Sequence, residues 1–450
     1  MMMKNFLPGL LATTALGLGL AGCHSSPSEN DKADTAAAAP ALKEGPWRGE
    51  LSAQGQKIPF LFEVKTEAGK PVVYLINKGL NGEERLRCDE ISAAGDSTTI
   101  KLHVFDAALV VRADGADKLK GVWVKYDAKT PYRVPLVARA GEPMALFTED
   151  GTNVNKMTPG YLAQLAKGAT YRAVFTDEEG KNYPAIGVLK MEGKGSFHGV
   201  LGTFLTTTGD YRYLSGNIVM RNKDFHLLLS TFDGNHAFLF DSPLEGALGK
   251  RLKGHFYSGK SGHETFTAVL DPKAKLPDAD TLTYLKKGES RLSFKFPSIF
   301  EGGVVEPDGP RYKGKVVVVQ LLGSWCPNCM DETAFLAPWY EKNKARGVEV
   351  IGLGYERSSD YKKASERLRK LRERYNIGYE LAVAGVANKD SAAKSLPQLA
   401  KVLAFPTTIF LDKKGAVRKI HTGFSGPGTG KYYEEEIAGF NRTVDKLLKE

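Results

Sequence analysis

The stretch that most limits the fold is the run VVVVQLL, Val316 to Leu322, which leads straight into Gly-Ser-Trp-Cys326-Pro-Asn-Cys329. A near-continuous aliphatic run of this length reads as a strand covered on both faces, so its sheet needs a layer on either side. The following segment, MDETAFLAPWYEKNK, reads as a helix as far as Ala337, where Pro338 kinks or ends it. A chain of 450 residues with only four cysteines builds no disulfide framework, yet two of the four stand here, at the end of a buried strand. Half of a zinc site is one account of them. Tetrahedral zinc takes four ligands, and no second pair or Cys/His cluster lies nearby, so the spacing and its strand–helix setting favour redox chemistry.

Further strand and helix patterns follow in alternation. VEVIGLG (348–354) is a second buried strand, and SERLRKLRERY (365–375) is a helix with Leu368, Leu371 and Tyr375 on one face. The basic remainder of that helix reads as a solvated face. YELAVAG, a helix through LPQLAKVL, the strand PTTIFLD (406–412), AVRKIHTG and a closing helix complete the order. His421 reads as a strand-end histidine with no catalytic role. A C-x-x-C pair opening the helix after a central strand is the thioredoxin arrangement. The expected fold is therefore an α/β thioredoxin-like domain, a central mixed sheet with flanking helices, at 286–450.

Residues 46–285 carry a different texture, rich in strand alternation such as IPFLFEV and poor in helix signals. They also repeat. Gly82, Arg85, Ile91, Phe105 and Asp106 recur as Gly209, Arg212, Ile218, Phe232 and Asp233, each 127 positions on. Trp47-Arg48 is echoed by Tyr171-Arg172, and Leu-Lys-Gly at 119–121 by 252–254. This predicts a duplicated, mainly antiparallel all-β region, with β unit 1 at 46–140 and β unit 2 plus a connecting segment at 141–285. Each could be a small barrel or a sandwich. The repeated Phe should anchor a core and the repeated Asp close a turn. The copies share no His or Cys, so this half reads as a binding or spacing module, with the thiol chemistry lying wholly beyond it. Cys88 reads as a half-buried structural thiol.

The N-terminus has a short positive region at Lys4, an apolar stretch from Phe6 to Leu20, and small residues at Ala21 and Gly22 before Cys23. Leu-Ala-Gly-Cys resembles a bacterial lipobox, which implies a signal peptide over 1–22, lipidation of Cys23 and a flexible tether over 23–45. The location that follows is the bacterial cell envelope, anchored by lipid and facing the periplasm. The formal net charge of +10 does not point to nucleic acid, because no basic cluster is interleaved with stacking aromatics.

WCPNCMDE (325–332), Gly314-Lys315 and FPTTIFLD (405–412) resemble the TlpA-like, membrane-anchored branch of thiol–disulfide oxidoreductases. The resemblance implies a disulfide reductase of exported proteins, fed by a membrane thiol donor and needing no cofactor or metal. It makes Cys326 the attacking cysteine, Cys329 the resolving one and Pro406 a cis-proline facing them, with Trp325, Phe405 and Thr407 around the substrate. Glu332 matches an acidic position beside the active site, as a proton acceptor for Cys329 or as a first-turn acid stabilised by the helix dipole. Asn328 and Ala334 stand where the branch carries proline, and Leu321-Leu322 where it carries an aromatic pair. The competing reading is a ligand- or partner-binding surface lipoprotein whose thioredoxin-like domain is structural.

Overall fold

Period-two burial builds the first half of the chain. In the segment 132–140, Val134, Leu136 and Ala138 are buried while Arg133, Val137 and Arg139 face outward; in 169–176, Ala169, Tyr171, Ala173 and Phe175 turn inward. The computed structural model describes residues 42–128, 130–141, 146–147, 164–192, 199–221, 223–244 and 249–450. The expected signal segment, Cys23 and most of the tether lie outside these residues.

The first nine strands are β1 (Gly45–Ala53), β2 (Gln56–Glu67), β3 (Lys70–Gly79), β4 (Gly82–Cys88), β5 (Ile91–Ala94), β6 (Ser97–Lys101), β7 (Ala107–Ala113), β8 (Lys118–Lys125) and β9 (Tyr132–Ala140). They form an antiparallel sheet in the order β4-β3-β2-β1-β9-β8-β7-β6-β5. The next nine are β10 (Ala169–Thr176), β11 (Asn182–Glu192), β12 (Gly199–Thr206), β13 (Gly209–Asp210), β14 (Leu214–Arg221), β15 (Asp224–Phe232), β16 (Ala237–Pro243), β17 (Arg251–Ser258) and β18 (Gly262–Leu270). Here β10 pairs with β18, and β11 pairs back onto β12, so this sheet closes on itself.

The repeat explains how the two compare. β14 pairs with both β12 and β15, whereas its counterpart is broken at Asp89-Glu90 into β4, which pairs only with β3, and β5, which pairs only with β6. The duplicated region is thus two up-and-down barrels, the second closed and the first open at one strand. Of the repeated glycines, Gly121 and Gly254 sit where a neighbouring strand approaches too closely for a side chain, whereas Gly82 and Gly209 take positive φ. A Cβ on Gly121 would lie 2.0 Å from the Val110 carbonyl oxygen, and one on Gly254 2.3 Å from that of Asp241. The second barrel is filled by Phe175, Phe204, Phe240, Phe256 and Phe266.

A short hairpin, β19 (Phe296–Pro297) and β20 (Val304–Val305), leads into the α/β domain. Its strands β21 (Val316–Leu322), β22 (Val348–Glu356), β23 (Glu380–Val386), β24 (Thr407–Leu411) and β25 (Val417–Thr422) lie in the order β23-β22-β21-β24-β25. The first three run parallel, and β24 and β25 antiparallel. Its helices are α1 (Pro327–Asn343), α2 (Tyr361–Tyr375), α3 (Lys389–Ser395) and α4 (Lys431–Lys449).

Two local expectations need correction. α1 continues through Pro338, because burial of Trp339 and Tyr340 outweighs a proline cost of ~3 kcal/mol. α3 ends at Ser395 rather than running through 396–403, since Pro397 lacks an N–H and Leu399 instead bridges to Leu285.

The larger correction concerns independence. Ala38–Glu450 fold as one compact unit. The basic face of α2 is an interface, not a solvated surface: Arg374 lies 2.5 Å from Asp89, Lys370 pairs with Glu90, and Arg367 pairs with Asp106. The strand break in the first barrel is what turns Asp89 and Glu90 toward the helix. Cys88, beside that break, is fully rather than half buried, and burial pushes its thiol up to about 12, which keeps it protonated and inert. Among the described residues, no helix is long and apolar enough to cross a membrane.

Candidate active site

Strand β21 delivers its C-terminal end to the start of α1, and Cys326 is the N-cap of that helix. Its Sγ accepts a hydrogen bond from the backbone N–H of Cys329 at 3.2 Å, and Pro327 occupies the first helical turn, where a missing N–H costs nothing. Cys326 and Cys329 are joined as a disulfide, with Cα atoms 5.2 Å apart. Both residues are buried, Cys326 with 6% exposure and Cys329 with none, so Cys326 is the more accessible of the two. That asymmetry suits an attacking and a resolving thiol.

The loop before the pair is pinned from beneath. Ser324 donates from its N–H and its hydroxyl to the two carboxylate oxygens of Glu356, at 2.8 and 2.7 Å. Trp325 donates from Nε1 to the Tyr355 carbonyl, 2.8 Å away, and its ring meets that of Phe405 edge-on at 5.9 Å. Phe405-Pro406 is a cis peptide, and the Phe405 carbonyl oxygen lies 3.5 Å from Cys326 Sγ. Thr407 is buried, and its hydroxyl donates to the Ala404 carbonyl at 2.8 Å, so its side chain braces the loop from inside.

Glu332 is enclosed between α1 and the sheet. Gln320, the single polar residue of β21, donates to it from Nε2 at 2.7 Å, and Thr408 of β24 donates to its other oxygen. Burial pushes its carboxyl up to about 7, against the lowering effect of these two hydrogen bonds. A carboxyl that titrates near neutrality, one helical turn from Cys329, is equipped to take or give a proton there.

The second barrel reaches the motif directly. Asn235 donates to the Trp325 carbonyl at 2.7 Å, and Asn328 donates to the Asp210 carbonyl at 3.2 Å. Arg212, fully enclosed, makes a two-pronged contact with Asp331 of α1, its Nε and Nη2 at 2.8 and 2.6 Å from the two oxygens. The same guanidinium reaches Glu84 of the first barrel at 2.5 Å and Asp233 of the second at 3.3 Å. One arginine therefore ties both barrels to the helix that carries the cysteines. Burial raises both Glu84 and Asp210 to about 7, while Asp233, despite burial, is held well below the carboxylate range by His236 and Arg212.

Sequence reading found Cys326, Cys329, Glu332, Trp325, Phe405 and Pro406, and the structure brings them together around α1. It missed Gln320, Glu356, Asp331 and Asn235. Arg212 and Asp233 were visible as repeated residues, but the repeat concealed their role. Arg85, the counterpart of Arg212, pairs with Glu63 and Glu83 at the surface, so a shared residue does not mean a shared contact.

The strand order, the C-x-x-C pair at a helix start and the facing proline define a thioredoxin-like domain with a cysteine pair placed for disulfide exchange. The family model described as Redoxin matches residues 297–437. The thiol-disulfide oxidoreductase ResA of Bacillus thuringiensis subsp. konkukian is 26% identical over 126 residues, 28% of this chain and 64% of that protein. The thiol:disulfide interchange protein DsbE of Escherichia coli is 25% identical over 182 residues, 38% of this chain and 83% of that protein. Among solved structures, a thiol:disulfide interchange protein of the thioredoxin family from Chlorobium tepidum is 17% identical and covers 36% of this chain and 98% of its own, with a TM-score of 0.27.

Replacement of Glu332 by Gln tests its role. Below pH ~7 the wild-type carboxyl holds its proton, and above it the carboxylate can accept one, so the exchange rate should rise through that pH. In Glu332→Gln this rise should vanish and the rate near neutrality should fall by about tenfold or more. Stopped-flow exchange with a small disulfide across pH 5–9 reads both; an unchanged profile returns Glu332 to a helix-terminal charge.

Proposed function

We propose that this protein is an extracytoplasmic thiol–disulfide oxidoreductase, held to a membrane by lipid on Cys23, that reduces disulfides in exported proteins. The observation that carries the reading is the disulfide-bonded pair at the start of α1, with Cys326 the more accessible of the two and Cys329 fully enclosed. The names of the similar proteins, thiol-disulfide oxidoreductase and thiol:disulfide interchange protein, support the same class of reaction.

In the reduced enzyme the helix N–H groups favour a thiolate at Cys326. That thiolate attacks one sulfur of the substrate disulfide, forming a Cys326–substrate mixed disulfide and releasing the other substrate sulfur as thiolate. Cys329 loses its proton to Glu332 and attacks Cys326 Sγ. The Cys326–Cys329 disulfide forms, the second substrate thiolate leaves, and two electrons have passed to the substrate. A membrane thiol donor restores the dithiol.

The test is capture. Cys329→Ser leaves the first attack intact and removes the release step, so mixed disulfides with envelope proteins should accumulate and disappear on reduction. Cys326→Ser should form none. Trapping in the opposite pattern would reverse the assignment of attacker and resolver, and trapping by neither would remove the reading.

A further inference from the structure

Glu332 is enclosed, yet a group that takes up a proton in each turnover must also lose it. Its carboxyl lines a cavity of about 270 Å³ whose other walls include Thr408, Lys419, His421, Tyr432 and Glu436. A second cavity of about 530 Å³, between the second barrel and α4, shares His421, Ser425, Tyr432, Glu435 and Glu436 with the first. These shared residues are the wall between the two. His421 is not the idle strand-end residue that the sequence suggested: its Nδ1 lies 2.6 Å from Asp280 and its Nε2 2.9 Å from Glu436. The second oxygen of Glu436 is 3.4 Å from the Ser425 N–H.

We propose that Glu332 exchanges its proton with solvent through these two cavities, with Glu436 as the station between them and His421 as the residue that positions Glu436. The inference rests on the proton-accepting role of Glu332 given above. The first cavity has apolar walls at Phe410 and Phe440 but carries the polar groups of Glu332, Thr408, Lys419, Tyr432 and Glu436, and it is many times larger than a water molecule needs, so a short water chain can join the two carboxyls. Protonated Glu332 passes H⁺ to Glu436, which passes it to water in the second cavity, and Glu332 is again an anion ready for Cys329. His421 does not carry this proton. Its two carboxylate partners hold it as a cation, raised to about 10 in spite of burial, so it serves as a fixed donor to Glu436. The charged and titratable groups that face this route are Lys419 and His421 of β25, Lys431, Tyr432, Glu435 and Glu436 of α4, Lys273, Lys275 and Asp280 of the segment after the barrel, and Tyr379 behind Gln320.

The experiment compares full-length wild type, Glu436→Gln, His421→Gln and Glu332→Gln in single-turnover disulfide exchange at pH 6–9, with and without imidazole. Glu436→Gln should slow the proton-coupled resolving step at least fivefold in weak buffer and recover toward wild type as imidazole is added, because a small base can enter the second cavity. Glu332→Gln should be slow and unrescued. His421→Gln should fall between, with partial rescue. If Glu332→Gln changes the profile but Glu436→Gln matches wild type, or is slow and insensitive to imidazole, the proton leaves by another path and this proposal is wrong. If Glu332→Gln itself matches wild type, the parent reading of Glu332 has failed instead.

Discussion

Cys326→Ser should lose disulfide reduction by a factor on the order of 10³ or more, while the reduced protein keeps its fold. The helix start favours a sulfur anion whose ordinary pKa is ~8.5, but a serine hydroxyl lies far above the reach of the same few N–H groups. The substitution changes little else. The side chain is 6% exposed, nearly the same size, and its cap to the Cys329 N–H can be made by oxygen. Turnover of a small disulfide and thermal unfolding, both under reducing conditions, separate the two effects. Turnover within tenfold of wild type would mean that another group attacks; a collapse of stability would mean that Cys326 is chiefly structural.

Arg212→Met should destabilise the folded protein by about 3–5 kcal/mol, the cost of leaving buried charges without their partner. Here the stranded groups are Asp331 on the cysteine helix, Glu84 in the first barrel and Asp233 in the second. The pH dependence carries a sign. Burial raises Glu84 and Asp210 to about 7, so the folded state binds their protons more tightly than the unfolded chain does. Their contribution is complete below the ordinary carboxylate range and is lost as pH rises through 7. Without the guanidinium that fall should steepen, and a urea series at pH 5, 7 and 8 measures it. A loss below 1 kcal/mol at all three would show that the cluster is not a keystone. Restoration of stability in the double variant Arg212→Met, Asp331→Asn would identify Asp331 as the main stranded charge.

What the sequence disclosed depended on how local the signal was. The buried strand VVVVQLL, the cysteine pair and the helix after it are contiguous, and each declares itself within a few residues. The barrel repeat was legible because its spacing is constant over Gly82 to Asp106 and Gly209 to Asp233. The long-range contacts were not. The basic face of α2 has the composition of a solvated helix, and only the strand break at Asp89-Glu90 makes it an interface. Arg212 is separated from Asp331 by more than a hundred residues, and nothing local marks it as a meeting point. Glu332 was legible as an acid near the pair, but its enclosure by Gln320 and Thr408 depends on the sheet being assembled. The packing of the β half against the motif was hidden for the same reason: Asn235 and Asp210 reach Trp325 and Asn328 only through tertiary packing.

The most direct test is a redox titration of the soluble protein in dithiol/disulfide buffers, with alkylation and mass measurement of Cys326 and Cys329 at each point. The account predicts one two-electron transition that involves both cysteines together and leaves Cys88 unchanged. Its midpoint should lie within the range of thiol–disulfide exchange proteins, roughly −120 to −270 mV. A pair that stays oxidised well below −300 mV, as a structural disulfide does, or one that never closes, would contradict it.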